Sequence, residues 1–435
     1  MSHRLLEGRD KNWGSTRITI ARLLSDAFQD EKHAFPQSLQ TQAWDVLEIL
    51  TRDPDPDPEN EQRYVGGGIE KEYASKGMKA SGYDPVTYAM NTVRGEAMSC
   101  VIKYALWVRR QLEKQSNAEE LVARGFEEMP EVRTVLDNHL DVKQDPSIAI
   151  HSVYGERFPL LYHLDQTWAA DNARGIFPVE GSLQDYFDAA WKAYIVFNRP
   201  FNAVLEVLKS EYGRAIEQMG EPPDEHERTG GPYGRVVEHL MTFYWWGTLN
   251  LESPLITLFY QKSCSKLRGH AMEFIGRSFR NTDKPIPDEV TARVKALWAA
   301  RLESVGKEGS QESARDELSK FGWWFVSRKF DEEWSMNALG DALQLAGCVD
   351  MPHMVVEHLA ELASRMPSQT MNCLSMIITG SGDHWRILGS EDKAKDIIRT
   401  ALKSEDEGTR QQARDVVNLL GSRGYFDYGN LLKEA

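Results

Sequence analysis

The sequence predicts an all-α protein, an α-solenoid of stacked antiparallel helix pairs in two halves. Three observations predict it. Segments with a clear apolar pattern repeat at helical period and do not alternate as half-buried strands do. Proline, glycine and capping residues punctuate these segments at helix length. At 435 residues the chain exceeds one ordinary core, which calls for several domains or one elongated array.

From Ser182, read as an N-cap, Leu183, Tyr186, Phe187, Ala190, Trp191 and Tyr194 form one continuous apolar stripe. Pro200 interrupts it. Phe201, Val204, Leu205, Leu208, Tyr212, Ile216 and Met219 then rebuild a stripe that Gly220 stops, which reads as a helical hairpin. The clearest single helix starts at Pro287, with Asp288 and Glu289 suited to its positive N-terminus. Val290, Val294, Leu297, Trp298, Leu302 and Val305 form its apolar face, and Gly306 is its expected end.

Near the C-terminus, Ser390 opens a helix carrying Ala394, Ile397, Ile398, Ala401 and Leu402. Ser404 with Glu407 reads as a capping box for the next, which carries Ala413, Val416, Val417 and Leu420 before Gly421. This pair resembles one HEAT-like (or TPR-like) repeat unit. Such a pair cannot bury both its faces alone and must stack on neighbours. Trp245-Trp246 and Trp323-Trp324 recur at about two repeat lengths, but their flanks do not align, so the repeats are degenerate.

Three stretches read as breaks. Asp53-Pro54-Asp55-Pro56-Asp57-Pro58-Glu59 is expected to be extended and exposed, because proline removes donors and the acids repel. Residues around Pro222-Pro223 and Gly230-Gly231 form the best mid-chain linker, and Gly306 to Ser313 a shorter loop. The expected organisation is a helical-repeat half over 1–220, a linker over 221–232 and a second half over 233–435.

Apolar residues make up 41% and charged residues 27%, which fits a globular protein and excludes wholesale disorder. The net charge of −15 gives no long-range field toward phosphate backbones or anionic lipid. Nucleic acid is therefore a minority partner. Cys100, Cys264, Cys348 and Cys373 are isolated, which leaves zinc and redox motifs without support and suits a reducing cytosol. Met1 to Lys11 lacks a secretory apolar core, and the longest apolar runs reach half a bilayer span. A cytoplasmic chain without membrane contact or cofactor is expected.

Chemical motifs are weak. Gly66-Gly67-Gly68 has no preceding strand and no Lys-Ser or Lys-Thr pair, so it reads as a turn. Gly380-Ser381-Gly382 with Asp383-His384 places triad residue types side by side in sequence, which does not supply triad geometry. His353 and His358 are five apart, about 140° around a helix, and cannot share a zinc. The acids of 53–59 lack the glycine a calcium loop needs. Within Lys262 to Lys284, the cations Lys262, Lys266, Arg268, Arg277, Arg280 and Lys284 outnumber Glu273 and Asp283 and could contact phosphate, although such strips usually pair with acids on the next helix. The clusters Phe243-Tyr244-Trp245-Trp246 and Trp323-Trp324-Phe325 are wider than one helix face, which fits interhelix core or an exposed hot spot.

Five stretches carry a resemblance. They are Asn91-Thr92-Val93-Arg94-Gly95-Glu96-Ala97, Tyr104-Ala105-Leu106-Trp107-Val108-Arg109-Arg110, Ser152-Val153-Tyr154-Gly155 with Phe158-Pro159, Phe279-Arg280-Asn281-Thr282, and Leu420-Gly421-Ser422-Arg423-Gly424-Tyr425. Together they resemble the helical C-terminal region of large prokaryotic proteins that often carry a STAND-type NTPase or another effector upstream, several in anti-phage defence. The resemblance implies a sensor or scaffold whose partner is a phage protein or an effector module. No Walker motif occurs in the sequence. Read from the residues alone, Asn91 caps a helix and Arg94 and Glu96 pair with adjacent turns.

The expected function is therefore non-catalytic recognition of a protein partner by an extended helical surface. The candidate partner-binding residues are Arg94, Trp245, Trp246, Lys266, Arg268, Arg277, Arg280, Trp323 and Trp324. One rival is nucleic-acid binding along Lys262 to Lys284. The other is an enzyme assembled from scattered groups such as Glu238, His239, Asp341 and His358.

Overall fold

The computed structural model describes residues 13–29, 35–57, 61, 84–220, 231–380 and 389–434. Among them every regular element is helical and no strand occurs, as the apolar periodicity requires. Contacts divide the chain into two compact units, Met1–Glu211 and Tyr212–Ala435. The division falls inside the short helix Lys209–Glu217, ahead of the expected boundary. The triglycine turn, Ser381 to His384, Pro58-Glu59 and residues 221–230 of the expected linker lie outside the described residues.

Unit 1 is built from α1 (Gly14–Gln29), α2 (Gln40–Thr51), α3 (Pro85–Ala89), α4 (Val93–Leu112), α5 (Pro130–Leu140), α6 (Ile148–Leu164), α7 (Gln166–Ile176) and α8 (Gln184–Phe197). The long helix α4 is central, with α1, α2 and α6 packed against it. Val93, Ala97, Val101 and Ala105 are buried on one face and Met98, Ile102, Cys100 and Trp107 to either side of it, so it reads as apolar over most of its circumference, as an enclosed helix should. Helix α6 lies against α8, and a Cβ added at Gly155 would overlap the Ala190 carbonyl. Only glycine permits that crossing distance.

Helix α4 corrects two expectations. Its N-cap is Thr92, whose side chain accepts from the Gly95 N–H at 3.3 Å, while Asn91 donates to the Thr87 carbonyl at 2.7 Å. The acidic, proline-alternating run does not stand out in solvent over its described part, for Asp53 and Pro56 are buried. The physical reason is the unsatisfied N–H groups of the first helical turn. Val93 N–H donates to the Asp55 carboxylate at 3.0 Å and Arg94 N–H to the Asp55 carbonyl at 2.8 Å. Asp53 is held by Arg17 at 2.6 Å, both side chains being inside. Prolines that donate nothing suit a segment whose carbonyls and carboxylates accept from the helix start.

Unit 2 contains α9 (Pro232–Trp246), α10 (Pro254–Lys262), α11 (Ser265–Arg280), α12 (Asp288–Glu308), α13 (Gln311–Leu318), α14 (Phe321–Phe325), α15 (Glu332–Ala346), α16 (Pro352–Leu362), α17 (Pro367–Thr379), α18 (Glu391–Leu402) and α19 (Glu407–Ser422). In the series α9, α11, α13, α15, α17, α19, each helix packs against the next. A second row places α16 against α18, and sequential contacts α16–α17, α17–α18 and α18–α19 join the rows. A helix flanked on both sides must be apolar on both. On α15, Met336, Leu339 and Leu343 are buried together with Ala338, Ala342 and Ala346. At the α11–α13 crossing, a Cβ on Gly269 would overlap the Asp316 carbonyl.

Helix ends depart locally from expectation. Ser182 lies in a 3-10 turn, Gly181–Leu183, ahead of α8. The apolar stripe from Phe201 is broken at Leu208 into Asn202–Val207 and Lys209–Glu217. Helix α12 runs through Gly306 and stops at Gly309, which is left-handed with φ 66°. The cap of α19 is Asp406, accepting from Thr409 N–H at 2.8 Å, so Ser404 and Glu407 make no capping box. An aspartate two residues nearer the helix outcompetes the serine. No helix among the described residues is long and apolar enough to cross a membrane.

One buried histidine makes unit 1 sensitive to acid. His151 on α6 is 1% exposed and its Nε2 donates to the Ile176 carbonyl at 2.8 Å. Burial disfavours the imidazolium and pulls its pKa down to about 4 from 6.5. The unfolded chain then binds a proton that the folded chain refuses throughout this window. Stability is complete above pH 6.5 and falls as pH drops toward 4, by on the order of 3 kcal/mol. His151→Gln keeps a donor for Ile176 and removes the titration. Urea unfolding midpoints should decline less steeply for H151Q between these pH values, and parallel profiles would refute the assignment.

Candidate functional site

The candidate residues fall into separate surroundings. Trp324 on α14 is fully buried, its indole N–H donating to the Met272 carbonyl at 2.7 Å. It packs on Phe321, Phe330, Phe279 and Trp298. Trp324 is thus core, and its expected partner-binding role is corrected.

Arg94 is corrected likewise, because it is 8% exposed and fully engaged. Its Nε and Nη2 each donate to the Asp145 carboxylate at 3.1 Å, Nη1 to the Asp53 carbonyl at 2.5 Å and Nη2 to the Pro56 carbonyl at 3.1 Å. Asp145 in turn accepts from His139 Nδ1 at 2.7 Å. Burial pushes the Asp145 carboxyl up, but the His139 hydrogen bond and the Arg94 charge outweigh it and hold the group below its ordinary value. His139 and Asp145 were not singled out in the sequence. Their one signal is a histidine and an aspartate six apart across a helix C-terminus.

Along α11 the basic strip is partly neutralised by neighbours. Arg268 is drawn inward to Glu317 at 2.5 Å, so it too is structural. Glu317, fully buried, also holds Arg301 at 2.8 Å, and Arg301 lies over the Tyr260 ring at 4.3 Å. Lys262 pairs with Glu217 at 2.8 Å and Arg277 with Glu273 at 3.4 Å. Lys266 is half-buried in the first turn. Three of the six cations are so paired, which removes part of the positive field a phosphate strip needs.

The remaining candidates lie at or against the C-terminal ends of α9 and α11, which pack on one another. Trp246 is 50% exposed and Trp245 is half-buried, with its ring 4.8 Å from Phe279. The next residue of α11, Arg280, and Arg277 one turn before it place guanidinium carbons 5.5 and 5.4 Å from the centre of the Trp323 ring. Both arginines are exposed. Arg280 contacts the Met351 sulfur at 3.7 Å and has no carboxylate partner among the described residues. Helix α9 ends in a left-handed Gly247, φ 79°, which turns the chain away directly after Trp246.

The scattered acids and histidines have distinct partners. Glu238 pairs with Arg235 and lies 3.4 Å from His270. His239 is buried and bonded to the Tyr212 hydroxyl at 2.7 Å, and His358 bonds Glu361 on its own helix at 3.1 Å. Asp341 is exposed on α15. Among the described residues no group of three His, Cys, Asp or Glu is placed to hold a metal.

Comparison with family models, with curated proteins and with solved structures found no match.

Proposed function

We propose that the chain is a helical-repeat recognition protein and that unit 2 is an α-solenoid docking an acidic segment of a protein partner. The layered reading of unit 2 is supported by alternate helices packing in series from α9 to α19. Stacked pairs of this kind build extended binding surfaces whose rows carry side chains in register.

The observation that carries the docking reading is a pair of exposed anchors at the ends of two packed helices, half-exposed Trp246 closing α9 and Arg280 closing α11, an exposed guanidinium without a carboxylate among the described residues. Tryptophan and arginine are the residues that dominate binding energy at interfaces, because each offers large area together with directional donors. Arg280 lies over the Trp323 ring, which restricts the side chain before its guanidinium donates to a carboxylate. In the defence setting that the resemblance implies, the partner is a phage protein or an effector module.

Affinity capture from infected and uninfected cells tests this, with wild-type protein and W246A/R280E as matched baits of equal circular dichroism. A protein with an acidic surface segment should be retained by wild type and reduced at least about tenfold on the variant, as loss of two anchors of about 1–2 kcal/mol each requires. A segment peptide from it should compete. Equal recovery on both baits would remove the patch from the proposal.

A further inference from the structure

A cleft of about 470 Å³ lies between α2 and α5 in unit 1. Glu131, Thr134, Val135, Asn138 and His139 line one wall and follow one face of α5 for two turns. Trp44, Glu48, Thr51 and Arg52 line the other and follow one face of α2. Tyr104 fixes one end, since its hydroxyl donates to Glu131 at 3.0 Å and its ring lies 4.9 Å from that of Trp44. The Arg94, Asp145 and His139 chain fixes the other. The size suits a small ligand.

The polar groups facing this cleft are mostly neutralised. Glu48 is paired with Arg52, and Asp145 with Arg94. Two are left. Glu131 has no cationic partner among the described residues and accepts only from the Tyr104 hydroxyl. His139 donates from Nδ1 to Asp145, so in the neutral imidazole Nε2 is an acceptor on a ring that lines the cleft. With the ring neutral, both groups offer an acceptor to the cleft. Eight residues apart on one helix, they are separated by about 12 Å along its axis.

We infer that this cleft binds a linear organic cation of the di- or polyamine class. One terminal ammonium sits between the Glu131 carboxylate and the Trp44 face, and a second nitrogen donates to His139 Nε2. Carboxylate and indole together suit an ammonium, because ion pairing and the ring quadrupole act in the same direction. The spacing selects length: a short monoamine satisfies one end only. Arg94 acts as a positioning residue, holding Asp145 and through it the ring of His139. The site lies in the other unit from the docking patch and does not depend on it.

The test is calorimetric titration of the full chain with spermidine in 150 mM salt, where diffuse attraction to an acidic surface is screened. Butylamine serves as the single-ended control and glutarate as the charge-reversed one. One spermidine per chain is expected, with butylamine at least tenfold weaker and glutarate not bound. Glu131→Gln keeps an acceptor for Tyr104 and should weaken spermidine at least tenfold, as should His139→Gln. In ¹⁵N spectra the His139 Nε2 signal should move on adding spermidine, a readout that stands even if H139Q misfolds. Binding that is absent, or equal in wild type and E131Q, or as tight for butylamine, would overturn the inference.

Discussion

Arg94→Ala is expected to destabilise unit 1 by about 3–5 kcal/mol, the usual cost of leaving one member of an internal ion pair behind. The guanidinium closes three separate accounts: both oxygens of Asp145 and the carbonyls of Asp53 and Pro56. Without it Asp145, 7% exposed, must hold its charge on the His139 and Ser147 contacts alone or take up a proton. The segment 53–56 also loses two of the bonds that draw it over the start of α4. R94M/D145N, which removes both charges and keeps the volume, should recover at least about 1 kcal/mol of the loss, because no unpaired ion remains. Urea unfolding followed by circular dichroism reads both. A loss under about 1 kcal/mol for R94A would mean that water reaches the site and that the network is not closed.

Glu317→Ala is expected to have a comparable effect on unit 2, again about 3–5 kcal/mol. One fully buried carboxylate divides its two oxygens between two arginines, Oε1 to Arg268 and Oε2 to Arg301. Truncation leaves two cations facing one another across a cavity, with Arg301 6% exposed. Glu317→Gln should be milder than alanine, since it keeps the volume and one acceptor, yet it loses the charge that both guanidinium groups share. The order wild type, E317Q, E317A in unfolding midpoint checks this. E317Q as stable as wild type would show that shape and not charge holds α11, α12 and α13 together.

Much of the fold was legible in the sequence because the information was local. The apolar faces of α12, α18 and α19 are visible in a window of one helix, and Pro287 ahead of two acids marks a start that α12 adopts within one residue. The pairing of Arg268 with an acid on a later helix followed from charge balance along the strip. Exact ends were less legible because competing caps lie close together, as with Ser404 and Asp406, or Gly306 and Gly309. What the sequence hid is long-range. Asp53 and Arg94 lie 41 residues apart and Arg94 and Asp145 51, so nothing local distinguishes them from solvated surface charge. The aspartate-proline run misled for the same reason: repulsion within it was plain, while the helix start that absorbs it was not.

The claim on Glu317 belongs to a wider pattern. Arg17 and Arg94 are balanced inside by Asp53 and Asp145, while Arg268 also reaches the partly exposed Glu308. Among the described residues three arginines, Arg17, Arg94 and Arg301, are buried beside five acids, Asp53, Glu61, Asp145, Glu211 and Glu317. Some of the negative charge of a chain with net charge −15 is thus withdrawn from the outer shell, and copies of the molecule meet in solution with correspondingly less mutual repulsion than composition indicates.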